Sequence, residues 1–317
     1  MVFGKQGVCK RMNNISFTKK KNVVRNTRGD KIFLGIDWII LTLFLIILVY
    51  PLLYIIMASF SAGTVYMNLS LIPSKYSLEG YRAVFEHSDV WVGYRNSLFY
   101  TVAFTAIALL VTICCAYPLS RKDFAGGKYM MGLCVFTMYF GGGLIPTYIW
   151  IRQMKLLDTI WSLLLPGSLS VYNMIVMRTY FNSTIPDELR EASMLDGCSD
   201  IRFLIQIVLP LSGAIIAVIA LYYAVGMWND YFNPMVYITT RAKLPLPNFL
   251  REILMVNVQH SLTNQNAADI ERLERLEQRA ELMKYSLIVV SSLPVMVIYP
   301  FVQKYFVKGV MIGAVKG

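Results

Sequence analysis

Long apolar runs separated by short polar stretches dominate the chain. Six of them are long enough to cross a hydrocarbon core that takes ~20 helical residues. They run from about Ile36 to Phe60, Ser97 to Leu119, Tyr129 to Ile151, Trp161 to Phe181, Ile207 to Trp228 and Tyr285 to Val302. The third is interrupted by Gly141-Gly142-Gly143 and Pro146. Such a break inside lipid is tolerated only where protein or a water-filled cavity covers the freed backbone. Close helix packing at small residues is the rival reading of the same glycines. The fourth run carries Pro166-Gly167 near its outer end. The pattern predicts an all-α polytopic membrane protein with six transmembrane helices.

The polar stretches set the order of the spans. A polar linker from Ser61 to Arg95 is expected outside, and Arg121, Lys122 and Lys128 mark a short inside loop that turns at Gly126-Gly127. Residues 229–283 form the longest outer loop, expected to end in a charged helix capped by Asn266, with Leu273, Leu276 and Leu282 on one face. A coiled coil would need more heptads than this segment holds.

Composition and charge support the membrane reading. Of 317 residues 56% are hydrophobic, mean hydropathy is +0.52, and only 15% are charged, against about 25% in soluble domains. The net charge of +11 does not point to nucleic acid, because the basic residues flank apolar runs. Residues 1–31 hold nine Lys or Arg against the single acid Asp30, and such positive ends stay inside. The expectation is a bacterial cell-membrane protein with both termini cytosolic and some attraction to anionic lipid. The expected layout is a basic tail at 1–31, a first transmembrane helix and outer linker at 32–96, a five-helix core at 97–303 and a cytosolic tail at 304–317.

Enzyme and metal chemistry find no support. Cys9, Cys114, Cys115, Cys134 and Cys198 all fall on inside or membrane segments, so no disulfide framework is expected. His87 and His260 lie far apart, without the clustered ligands a metal needs. The chain has no GxxxxGK[ST] phosphate loop, no GxSxG elbow and no HExxH. No catalytic residue, metal or cofactor is therefore assigned to it.

The inside segment from Thr184 to Leu211, TIPDELREASMLDGCSDIRFLIQIVLPL, has the most constrained spacing. Thr184 is placed to cap a short helix with Pro186 in its first turn and Asp187 three residues on. Ile185, Leu189, Ala192 and Leu195 fall near one face, and Asp187, Glu188, Arg190 and Glu191 occupy much of the rest. Gly197 stands where a left-handed residue would end the helix. Ser199 can cap the next one, and Pro210 should bend it as it enters lipid.

Glu191-Ala192-Ser193, Asp196-Gly197 and Leu209-Pro210 resemble the EAA loop of bacterial ABC importer permeases, with Ser193 where the family usually has a second Ala. The resemblance implies the type I ABC importer permease fold. It also implies that Glu188, Glu191, Ala192, Ser193, Asp196, Gly197, Leu209 and Pro210 belong to a coupling loop docked on an ATPase subunit. The ending, Gln303-Lys304-Tyr305-Phe306-Val307-Lys308-Gly309 and then Gly313-Ala314-Val315-Lys316-Gly317, resembles maltose-type carbohydrate permeases, above all a subgroup linked to complex oligosaccharides. This implies a second, homologous permease, an ABC ATPase dimer that binds the ATP and Mg, and an extracytoplasmic sugar-binding protein.

Polar residues at membrane depth usually mark a transport path, and here they are few: Asn173, Arg178, Tyr222, Tyr223, Trp228, Asn229, Asp230 and Asn233. Aromatic faces, amides and a carboxylate suit a sugar, whereas an interfacial aromatic belt followed by a turn reads the WNDYFNP stretch equally well. Two other functions stay open. A permease for a non-sugar solute is disfavoured by the ending. An ion-coupled secondary transporter would need buried carboxylates, of which the spans offer almost none.

Overall fold

The computed structural model describes residues 27–61, 75–259, 283–300 and 303. The basic tail before residue 27, the charged helix expected at 266–282 and the ending from residue 304 lie outside the described residues. The chain divides into two compact units, Met1–Leu52 and Leu53–Gly317. Among the described residues the structure is helical, with one isolated antiparallel bridge between Ser61 and Tyr76.

Helix α1 (Arg28–Ser59) passes through Pro51 without stopping. Within the first unit its described side chains are exposed except for half-buried Val49. An apolar helix with no buried face is a helix that expects lipid or another protein around it.

In the second unit, α2 (Glu79–Glu86) leads through His87 into α3 (Ser88–Leu119). The sequence reading gave residues 75–95 to a polar linker. They instead form α2 and the first turns of α3, because their apolar positions recur at helical spacing and bury Val84 and Val90. Then follow α4 (Gly127–Tyr139), α5 (Leu144–Gln153), α6 (Trp161–Leu164), α7 (Val171–Thr184), α8 (Asp187–Leu195) and α9 (Asp200–Phe203). A π turn at Leu204–Val208 leads into α10 (Leu209–Leu211) and α11 (Gly213–Trp228), followed by α12 (Phe232–Tyr237), a 3-10 turn at Arg241–Lys243, α13 (Leu246–Gln259) and α14 (Met283–Pro300).

Three described helices are long and apolar enough to cross a membrane: α1, α3 and α14. Two bent pairs raise the number to five if each pair is one span. They are α4 with α5, at 113°, and Asp200–Leu211 with α11, at 83°. The first bend falls on the expected glycine break, where Phe140 is extended and Gly143 takes φ 82 and ψ −179. The expected fourth span is not one helix. Pro166 and left-handed Gly167 (φ 76) separate α6 from α7, and α7 has only 14 residues.

The core is built on α3, which packs against α11 and α7. Ala108, Ala116 and Leu119 of α3 meet Met174, Met177 and Phe181 of α7 and Ile215 and Ile219 of α11. A second cluster closes one end of this bundle. It joins Val84 and Val90 to Trp228, to Leu246 of α13 and to Leu287 and Val290 of α14.

Candidate functional sites

Helix α8 is held to its own chain by polar contacts and leaves its apolar end free. Arg190 is the anchor, its side chain only 17% exposed. Its two terminal nitrogens donate to Asp123 at 2.9 and 2.7 Å, and one also reaches Asp200 at 3.4 Å. The paired guanidinium holds the Asp123 carboxyl below the usual carboxylate range. Lys122 adds a 2.6 Å bond to Asp187. Ser193 is buried, and its hydroxyl donates to the Arg190 carbonyl at 2.7 Å. Away from these contacts, Leu189 and Met194 are exposed and Leu195 is 90% exposed. Glu188, Glu191, Ala192 and Asp196 are exposed too. The face read as apolar therefore turns away from the chain's core, apart from Ile185, which is buried.

The end of α8 closes as its sequence predicts. Gly197 has φ 73, its N–H donates to the Met194 carbonyl, and the Cys198 N–H donates to the Ser193 carbonyl at 2.9 Å. These paired bonds are the Schellman arrangement that a left-handed glycine permits. Ser199 caps α9 by accepting from the Arg202 N–H. The start differs from expectation. Thr184 does not cap α8, because α7 continues through it; extended Ile185 and Pro186 intervene. The residue before a proline is driven from the helical region, so α8 begins at Asp187. Its first turn carries Asp187 and Glu188, which complement the positive end of the helix dipole.

Pro210 acts both upstream and downstream of itself. It lacks the N–H that would bond Gln206, and its ring crowds that carbonyl. The chain answers with a π turn just before it, closed by the Leu209 N–H on the Leu204 carbonyl. The sharp bend falls two residues later at Ser212, which has φ −99 and ψ 15.

The residues read as a transport path divide into two groups. Asn173, Tyr223 and Trp228 are buried at 6%, 5% and 6% exposure. The Tyr223 hydroxyl lies 2.7 Å from the Thr112 hydroxyl and accepts the Ser170 N–H at 3.0 Å, tying α11 to α3 and to the start of α7. Trp228 donates its ring N–H to the Ser291 carbonyl and meets Tyr94 edge-on. Arg178 donates to the Leu119 carbonyl at 2.7 Å. Tyr222, Asn229 and Asn233 are exposed. Asp230 is engaged locally: it accepts the Phe232 and Asn233 N–H groups and the Asn233 side-chain amide. The broken third span reaches the same clusters: Met131 and Cys134 of α4 pack against the core cluster that contains Tyr223, and Ile151 of α5 shares a cluster with Met227.

Trp228 and Asn229 do border a cavity of about 600 Å³, together with Tyr231, Leu246, Leu250, Arg251, Ser291, Ser292, Val295 and Met296. Sequence reasoning missed the α13 and α14 side of it. The signal present was the helical spacing of Leu246, Phe249, Leu250 and Ile253 within the long outer loop. Two polar clasps hold α13 and the turn before it. Asn96 donates to the carbonyls of Ala242 and Leu244, Tyr100 donates to that of Lys243, and Ser97 accepts the Leu246 N–H. Asp158 accepts the N–H groups of Thr239 and Thr240, the Thr240 hydroxyl and the Lys243 ammonium. These donors hold its carboxyl far below the usual carboxylate range, the Thr240 hydroxyl foremost.

No protein-family model matches the chain. Individual proteins do. Protein LplC of Bacillus subtilis (strain 168) is 37% identical over 298 residues, covering 93% of this chain and 99% of that protein. The polygalacturonan/rhamnogalacturonan transport system permease protein YtcP of the same strain is 37% identical over 281 residues, covering 87% and 96%. A chain in the crystal structure of a bacterial ABC transporter involved in the import of the acidic polysaccharide alginate shares the fold. Its TM-score is 0.78 with 31% identity, over 88% of this chain and 98% of that one. The apolar helices, the bent spans and this likeness along nearly the whole length lead to one conclusion: the chain belongs to the membrane-embedded permease subunits of bacterial sugar ABC importers, in which a separate chain is the ATPase.

Proposed function

We propose that the chain imports an oligosaccharide by alternating access and that the loop at 184–211 transmits the motion of a partner ATPase. The observation that carries this is the two-sided character of α8. Arg190, with Asp123 and Asp200, fastens the helix to the chain's own inside loops, while Leu195, Met194 and Leu189 stand exposed on it. A helix rigidly tied to the bundle and apolar at its free end is a lever for a docked partner. Glu188 and Glu191, which make no ion pair among the described residues, supply charge for basic groups on that partner. Ala192 allows close approach. Gly197 sets the turn, and Leu209-Pro210 with the π turn carries displacement into α11.

The proposal extends to the assembly. Six crossings arise if residues 161–184 make a broken fourth span, which leaves both termini cytosolic. The layout is a tail at 1–31, the first helix and linker at 32–96, the core at 97–303 and a tail at 304–317. A second permease completes the cavity, an ATPase dimer holds ATP and Mg, and an extracytoplasmic binding protein delivers sugar. Trp228, Asn229, Asp230 and Asn233 then stand at the outer mouth of the path. Asn173 and Tyr223 enter it only when the α3–α7–α11 interface opens. The names of two relatives, a polygalacturonan/rhamnogalacturonan permease and an alginate importer, support an oligosaccharide as cargo. The test is uptake of labelled oligosaccharides by cells, with and without the chain, under ATP depletion and under collapse of ion gradients. Loss only on ATP depletion supports the reading; loss only on gradient collapse refutes it.

A further inference from the structure

Among the described residues, the outer cavity holds a cation without an anion. Arg251 lines it from α13. Its guanidinium lies over the Tyr231 ring, 5.6 Å from the centroid, and against the Met235 sulfur. Among the described residues no carboxylate pairs with it. The acids nearby are otherwise engaged: Glu252 bonds Arg241 at 3.1 Å, and Asp230 bonds the Asn233 amide at 2.7 Å. The rest of the lining is mostly apolar, from Leu246, Leu250, Val295 and Met296, with polar groups at Asn229, Ser291 and Ser292. A half-buried guanidinium in such surroundings favours a bound anion, and its planar fork suits a carboxylate held by two parallel bonds. The apolar walls suit the C–H face of a pyranose ring, and the serine and asparagine oxygens suit its hydroxyls.

We propose that Arg251 receives the carboxylate of a uronic acid unit, so that the cargo is an acidic oligosaccharide and Arg251 determines that specificity. The inference rests on the reading of the chain as an oligosaccharide permease. It differs from that reading in what it demands, because a neutral sugar would supply no anion for Arg251. Tyr231 supports the guanidinium from one side, so the fork is held ready at the cavity rather than free in solvent.

The experiment is saturation-transfer NMR on the whole importer in lipid nanodiscs, titrated with digalacturonate and, separately, with galactobiose. The two probes share ring size and differ in charge. Digalacturonate should bind saturably, and galactobiose at least about tenfold more weakly. Arg251→Gln should weaken digalacturonate about tenfold and leave galactobiose unchanged, whereas Arg251→Lys should keep most of the affinity. Wild-type circular dichroism and ATPase co-purification for each variant establish that the assembly is intact. Equal affinity of the two sugars overturns the inference, as does failure of digalacturonate to bind, or wild-type digalacturonate affinity in Arg251→Gln. A variant that loses both probes equally also overturns it, since a merely structural arginine would behave so. Uptake of oligosaccharide that persists through any of these results leaves the transport reading standing while this inference falls.

Discussion

Gly197 and Asp158 show how single positions set the two faces of the protein. At Gly197 a side chain would sit at φ 73, which costs about 1–2 kcal/mol in an L residue. No neighbour would clash with the added Cβ, so the penalty is conformational and local. Gly197→Val is expected to keep the bundle folded and to disorder the end of α8. Hydrogen exchange of the Gly197 and Cys198 amides, which close the turn, should rise severalfold. Asp158 makes a pH prediction. Its carboxyl is held below its ordinary value, so the clasp it makes is complete above about pH 4, the free carboxylate range. The clasp weakens only as the pH falls through the lowered value. Exchange at the Thr239 and Thr240 amides, corrected for intrinsic rate, should be flat from pH 7 to pH 5 and should rise in Asp158→Asn. A rise between pH 7 and pH 5 would show that the clasp is not held by this carboxylate. Gly197 and Ser199 were legible in the sequence because turns and caps are local chemistry. Asp158 was not: its partners lie some eighty residues away in the chain, beyond any local pattern.

Helices tell a similar story at greater length. Long apolar α1, α3 and α14 could be read directly, since lipid demands one length and one composition. Helix α8 was found but begins three residues past the expected cap, because a capping pattern does not reveal that α7 continues through Thr184. Helix α13 was missed inside an outer loop, since its Pro, Asn, Arg and Glu made a short amphipathic helix look like a connection. One of the two clasps on the turn leading into α13 is the polar stripe on α3. Asn96→Leu should leave the carbonyls of Ala242 and Leu244 without their donor, at a cost of about 2 kcal/mol. The checks are a lower unfolding temperature in detergent and loosening of α13 in hydrogen exchange, with α7 and α11 unaffected. Helix α8 gives a different kind of prediction, because its tip is proposed to bear on a partner. Leu195→Asp places a charge on the most exposed apolar side chain of the loop and should lower ATPase affinity about tenfold or more. The unfolding temperature should not change, since Leu195 is 90% exposed among the described residues. Pull-down of the ATPase subunit reads the first effect and calorimetry the second; normal pull-down would remove α8 from the interface.

Across the whole chain, membrane residence and the helical class follow from hydropathy alone, whereas the path for sugar does not. Asn173, Tyr223 and Trp228 read as path residues in the sequence, which shows polarity but not what satisfies it in the fold. Tyr223 turns out to join α11 to α3 and α7, and Trp228 is spent on Ser291. The cavity, by contrast, needs Tyr231, Arg251 and Ser291 in one place, which only the folded chain provides. Topology can be checked by cysteine labelling of sealed cells: Ser16→Cys and Lys316→Cys should resist an impermeant reagent added outside and react after permeabilisation. The link between loop and cargo is tested most directly by ATP hydrolysis of the purified importer in lipid, with its binding protein and oligosaccharide added. The wild type should be stimulated by sugar. Glu191→Lys, which reverses one exposed charge on α8, should lose most of that stimulation while its helix content stays unchanged. Full stimulation of Glu191→Lys at wild-type sugar concentration would contradict the assignment of α8 as the coupling element.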